Sequence, residues 1–245
     1  MKRSILSLAA VIMLSSCKSS FQVYHAAPAS TGIVQEDNAY VYDNGTIRVV
    51  YDFWARQGVM SYVVYNTSKK PIYIDWKRSS FIQDKEKKNY YIDASTSSFT
   101  AVSAGHHSGS ASGSVSVGAG SEVRAERVSF LPPGSFIEKK FYKLIPGNLL
   151  IPKDMMSDTL IGRKAAKIAH LEKNDGTLVF RNFITYSTTE EFKEEQYVDN
   201  EFYIDNVLTA HNGTVQHDKD GHYHYPGEGP QNFYMNNLTP QQIYK

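Results

Sequence analysis

The run Thr46-Ile47-Arg48-Val49-Val50-Tyr51-Asp52-Phe53-Trp54 decides the class of this fold. Ile47, Val49, Tyr51 and Phe53 alternate with Arg48 and Asp52, the period of a strand with one buried and one wet face. Asp43-Asn44-Gly45 just before it is a turn signal. Downstream, Val59 to Tyr65 is β-branched and aromatic, and Asn66-Thr67-Ser68-Lys69-Lys70-Pro71 breaks it as a turn. Ile72, Ile74 and Trp76 alternate with Tyr73 and Asp75. Ser80 to Gln83 and Tyr90 to Asp93 flank the charged stretch Asp84 to Asn89 and suggest a hairpin. Short strands at this close spacing are the mark of a sandwich or barrel.

Further along, strands are expected at Glu122 to Phe130, Phe136 to Leu144, Leu178 to Tyr186 and Glu201 to Leu208. Pro132-Pro133-Gly134 forms a rigid turn between the first two. Residues 146–162 read as irregular. Arg163 to Leu171 has helical composition, though it is short enough to be extended. Thr188-Thr189-Glu190-Glu191 carries helix-start chemistry and could begin one turn. Seven serines and five glycines fall within residues 103–121, the composition of a flexible loop. The expected fold is one all-β domain over residues 37–210, an immunoglobulin-like antiparallel β-sandwich. A jelly roll or two smaller β-domains are the alternatives.

The ends of the chain read differently. Lys2 and Arg3 precede an apolar run, Ile5 to Leu14, and small residues lead to Cys17, the only cysteine. This order is that of a signal peptide over residues 1–16. The run is shorter than the roughly 20 apolar residues a spanning helix needs. Residues 17–36, with Pro28, Ser30, Thr31 and Gly32, read as a flexible tether. Residues 211–245 are rich in Gly, Pro, His and Asn and read as an irregular tail.

Leu14-Ser15-Ser16-Cys17 resembles the lipobox of bacterial lipoproteins. The resemblance implies cleavage before Cys17, fatty acylation of that residue, and attachment of the chain to the membrane. Lys18 follows, in place of the aspartate of an inner-membrane retention signal, which favours the outer membrane. Several acyl chains on one residue make a durable anchor where a single chain binds marginally. More of the sequence resembles a family of lipoproteins from Bacteroidota-type bacteria to which no activity is assigned. The similar blocks begin with Gln22-Val23-Tyr24, Val49 to Trp54, Tyr65 to Trp76 and Ser80-Phe81-Ile82. They continue with Phe130 to Ser135, Phe180 to Phe183 and Val198 to Tyr203. The family implies an envelope location and an all-β fold, and no site residues.

Charge narrows the function. The 26 lysines and arginines balance 25 aspartates and glutamates, so the chain lacks the basic excess of a nucleic-acid binder. With Cys17 acylated, thiol nucleophiles, disulfides and zinc–thiolate sites are excluded. No G-x-S-x-G elbow, P-loop, H-E-x-x-H or G-x-G-x-x-G turn is present, and no motif implies a cofactor.

Three readings follow. The first is a non-catalytic binding or structural module of the cell envelope, with an envelope protein or glycan as partner. Tyrosine and tryptophan suit such surfaces because an apolar body carries a polar tip. The chain has seventeen tyrosines. Tyr51, Phe53 and Trp76 belong to the core by pleat, while Trp54 and Tyr73 fall on the opposite face as contact residues. The second is a hydrolase of envelope glycan or peptide using carboxylates such as Asp75, Asp205 or Glu201, which requires paired acids in a cleft. The third is metal capture by His211, His217, His222 and His224 of the tail, near Asp218 and Asp220. His106-His107 is a weaker version of the same idea. Arg181-Asn182 interrupts an apolar strand, and Arg78, Asp75 and Asp205 could join it in a polar network. Asp158-Thr159-Leu160 resembles a short O-glycosylation acceptor, with Thr159 as the modified residue.

Overall fold

The computed structural model describes residues 19–91, 126–173, 178–219 and 223–243. Cys17 and the signal run, the Gly/Ser stretch 103–121 with His106-His107, residues 122–125 of the expected Glu122 strand, Asp220 and His222 lie outside them. The strands are β1 (Ser20–Pro28), β2 (Ile33–Glu36), β3 (Ala39–Asp43), β4 (Ile47–Tyr51), β5 (Val59–Asn66) and β6 (Ile72–Gln83). There follow β7 (Glu86–Asn89), β8 (Val128–Leu131), β9 (Phe136–Lys143), β10 (Met156–Ile161), β11 (Lys164–His170) and β12 (Val179–Ser187). The last are β13 (Glu195–His211), β14 (Gln216–His217), β15 (Tyr223–His224) and β16 (Asn232–Leu238). Among the described residues there is no α-helix, and no helix long and apolar enough to cross a membrane.

All ladders between these strands are antiparallel. One sheet runs β2-β3-β4-β5-β9. The larger sheet is built on β13, whose first half pairs with β12 and whose second half pairs with β1 and β11. β6 continues it beyond β12, and β16 lies outside β1. Two-residue turns with positive φ, Asp37-Asn38 and Asp84-Lys85, close the β2–β3 and β6–β7 hairpins. Left-handed turns of this kind match the twist of the strands they join.

The two sheets face each other in a β-sandwich. Ile47, Val49, Tyr51 and Phe53 are all fully buried, as their alternation requires. They meet Phe180 and Phe202: the Tyr51 and Phe53 rings stand edge-on to Phe202 at 4.9 and 5.1 Å. Trp76 is buried too. A polar chain crosses this core. Asn182 donates to the Tyr51 hydroxyl at 3.0 Å, Tyr51 donates to Asn200 at 2.7 Å, and Tyr90 donates to Asn182 at 2.8 Å. These paired groups make a polar core tolerable; the neighbouring buried Tyr62 hydroxyl has no hydrogen-bond partner among the described residues. Arg181 instead points outward and binds Asp199.

Several expectations are corrected. The stretch read as a tether, residues 17–36, contains β1 and β2, and β1 lies between β13 and β16 with Phe21, Gln22 and Tyr24 buried. It is covered on both faces, so its side chains lack the apolar/polar alternation that marks a half-wet strand. The tail carries β16, and Phe233, Met235, Leu238 and Ile243 enter the core. The Phe233 ring stacks on Tyr24 at 5.0 Å. The sandwich therefore extends well past residues 37–210 at both ends. Arg163 to Leu171 is strand β11, because its ladder partners in β10 and β13 outweigh alanine's local helix preference. Residues 156–161, expected irregular, are β10. Thr188 to Glu191 forms a tight turn without a helix, and Phe192 follows at φ 53. The expected strands at Ile72 and Ser80 are one bulged strand, β6.

Candidate functional site

The expected contact residues are not on one surface. Trp54 is half-buried against Tyr234 and Tyr225, with ring centres at 5.1 and 6.4 Å. These rings form a second apolar cluster with Phe21, Val23, Ala166 and Ala210, covered in part by the C-terminal segment. Trp54 thus packs against the C-terminal segment. Tyr73 pairs across the β6–β8 ladder with Phe130.

The three carboxylates also part company. Asp75 is 1% exposed, and its side chain accepts from the backbone N–H groups of Lys77 and Arg78 at 2.9 and 3.2 Å. The Arg78 Nε adds a bond at 2.9 Å, and Arg127 lies at 3.6 Å. Asp75 therefore pins the bulge in β6. Asp205 is the extra residue at the β1–β13 bulge and contacts His25 Nδ1 at 2.5 Å. Glu201 binds Lys173 at 2.5 Å. Glu201 and Asp205 stand four residues apart on one strand, roughly 13 Å along the backbone, and each is engaged with a different basic partner. The Tyr40 hydroxyl lies 3.5 Å from the other nitrogen of His25, giving an Asp–His–Tyr row. Burial, with Asp205 and Tyr203 adding to it, pushes the Tyr40 phenol up to about 12. At neutral pH that phenol keeps its proton, and the row ties β1, β3 and β13 together.

Of the expected histidines, His217 and His224 lie on the paired strands β14 and β15, and His211 lies apart at the end of β13. His211 ends β13 and meets the Ser20 hydroxyl at 3.2 Å, while His217 lies on β14. His224 on β15 lies against Glu228 through Nδ1 and Asp218 through Nε2, at 3.1 and 3.4 Å. Those bonds raise its pKa, Glu228 contributing first. Among the described residues no group of three histidine, cysteine or acidic side chains is arranged to hold a metal ion. Thr159 sits half-buried on edge strand β10, opposite Ala166.

A concave feature among the described residues lies elsewhere. A groove of about 630 Å³ lies on the outer face of the smaller sheet, lined by Arg48, Val50, Tyr65, Thr67, Ser68 and Ser135 among others. Its construction follows from Asn66, which is buried where two turns meet. The Asn66 side chain donates to the carbonyls of Lys70 and Leu131 at 2.8 and 2.9 Å. Its backbone N–H donates to Ser135 O and its carbonyl accepts from Gly134 N, at 2.9 and 3.0 Å. Gly134, at φ 71, supplies the left-handed conformation this junction needs. On the floor, Arg48 and Tyr65 are ladder partners, and Tyr65 is the ladder partner of Phe136. The Tyr65 and Phe136 rings lie 5.5 Å apart, and Phe136 is 62% exposed. Arg48 is neutralised by Glu36 at 2.5 Å and Asp43 at 3.7 Å. The groove thus presents aromatic and aliphatic surface with a hydroxyl rim and balanced charge. Sequence reading missed it. The available signal was Phe136, Tyr65 and Val50 on pleat positions opposite the core residues Ile137, Val64 and Val49.

Comparison of the chain with protein-family models, with curated proteins and with solved structures finds no match.

Proposed function

We propose that this chain is a cell-envelope lipoprotein, anchored through Cys17 to the outer membrane, whose immunoglobulin-like sandwich binds an envelope protein or glycan without transforming it. The order of basic, apolar and small residues before Cys17 supports the anchor. The observation that carries the binding reading is the Tyr65–Phe136 pair beside the Arg48 groove. An exposed Phe136 beside half-buried Tyr65 at a concave surface of this volume supplies aromatic contact area at low entropic cost, as recognition sites do. The hydrolase reading loses support from the separate engagement of Asp75, Asp205 and Glu201.

The test is capture of partners from envelope extract by the intact chain and by a Tyr65→Ala/Phe136→Ala double variant. Loss of a central aromatic anchor costs more than about 1.4 kcal/mol, so retention should fall at least about tenfold. Equal retention by both proteins removes the groove from the proposal.

A further inference from the structure

We infer that the sandwich rests with one end directly on the bilayer, through a rim formed by Leu160, Ile161, Arg163 and Lys164 of the β10–β11 hairpin beside Asn212–Thr214. The inference depends on the anchoring of Cys17 proposed above.

Its first support is the length of chain available. Ser19 is already tied into the fold: its carbonyl accepts from Asn212 N at 3.0 Å and its hydroxyl accepts from Asn212 Nδ2 at 2.8 Å. Two residue steps, about 7 Å at full extension, separate Cys17 from it. An acyl group on Cys17 therefore holds this end of the domain at the head groups. The stretch that reads as a tether in sequence is used up as strand β1.

The second support is what surrounds Ser19. β11 runs alongside the end of β13 with Ala166 opposite Ala210. The β10–β11 turn consequently projects past the sheet at the same end, and the Lys164 ammonium donates to Gly213 O. Arg163, Lys164 and Ala165 are exposed, Leu160 is 67% exposed, and Ile161 is half-buried. Two cations flanking exposed aliphatic side chains match an interface where anionic head groups lie over acyl chains. Nearby acids are occupied, Asp158 by Lys167 at 2.7 Å and Asp218 by His224.

The third is the position of the groove. β13 starts at Glu195 and ends at His211, seventeen residues. Asn44, from the turn before β4, donates to Tyr186, which donates to Gln196, so the groove belongs to the Glu195 end. At about 3.3 Å per residue the two ends of β13 are roughly 50 Å apart. With the His211 end on the membrane, the groove faces away from it.

Because acylation consumes the Cys17 thiol, an introduced cysteine is the only free one in the mature chain. The acylated full chain carrying Ala165→Cys or Lys69→Cys is labelled with a fluorophore. Each is reconstituted in phosphatidylethanolamine/phosphatidylglycerol vesicles whose acyl chains bear a quencher. Mass analysis first establishes the acyl groups; their absence overturns the anchoring and this inference together. With acylation present, strong loss of fluorescence at position 165 and none at 69 is expected. Equal quenching, or quenching at 69 alone, overturns the orientation and leaves the anchor standing. Adding Arg163→Glu/Lys164→Glu to the Ala165→Cys chain should relieve the quenching while the chain stays vesicle-bound. Unchanged quenching removes the basic pair from the rim.

Discussion

Single residues show where local sequence and long-range structure meet. Asp75 is a candidate acid by residue type, and the alternation of its strand sets it opposite Ile72, Ile74 and Trp76. Its chemistry is instead consumed by two backbone N–H groups and the Arg78 guanidinium at the bulge. Replacing it with alanine takes the acceptor from the part-buried N–H groups of Lys77 and Arg78 and from the Arg78 Nε, whose guanidinium keeps Glu195. We expect Asp75→Ala to lower stability by about 2–4 kcal/mol, seen as a lower urea midpoint with little change in slope. A loss under about 0.5 kcal/mol, the size of an ordinary surface substitution, would contradict that role. Tyr51 was legible as a core ring from its pleat. Its hydroxyl partners were not, since Asn182 and Asn200 are more than a hundred residues away in the chain. Gly58 is similar: at φ 62, a Cβ there would come within 2.8 Å of Leu144 and Phe233. Only the fold reveals that crowding.

At the level of elements, strands wet on one face were readable and strands covered on both were not. β4 alternates cleanly because one side of it meets water along part of its length. β12 was expected almost to the residue, and its inward Phe180, Asn182, Ile184 and Tyr186 are all buried. β1 escaped because the polar Gln22 sits inside it, its side chain accepting from neighbouring Tyr24 and donating to Thr209 on the far strand. β16 shows that the C-terminal segment is structural. Removing residues 216–245 deletes Phe233, Met235, Leu238 and Ile243 from the interior. At about 1.5–3 kcal/mol per buried side chain, their loss matches the whole net stability of a typical domain. We expect the truncated chain to lack the cooperative thermal transition of the intact one by circular dichroism. A truncated chain that melts at the same temperature would show the segment to be dispensable.

The whole molecule is held by an aromatic sandwich, and its response to base follows. Burial raises the phenols of Tyr24, Tyr51, Tyr62 and Tyr90 well above their ordinary value, and Tyr40 rises to about 12. The folded state holds these protons more tightly than the unfolded chain does. Their contribution to stability is therefore complete below the unfolded value of 10 and is lost as pH climbs through the folded values. Above pH 10 the chain should unfold in one steep step, with phenolate absorbance appearing as near-ultraviolet dichroism disappears. Phenolate absorbance rising through this range in a chain that keeps its dichroism would refute the linkage. The sequence by itself determined the β class, the sandwich core around Tyr51, Phe53 and Trp76, and the order of residues that marks Cys17. Each of these depends on neighbours along the chain, through alternation or linear order. Only the tertiary structure decided that β1 and the C-terminal segment complete the sheet and that Asp75, Asp205 and Glu201 take separate partners. It alone brought Arg48, Tyr65 and Ser135 to one groove, set Phe136 beside it, and took the residues from Ser20 onward into the sheet. Those outcomes depend on pairing between residues far apart in sequence, where burial and register outweigh local composition.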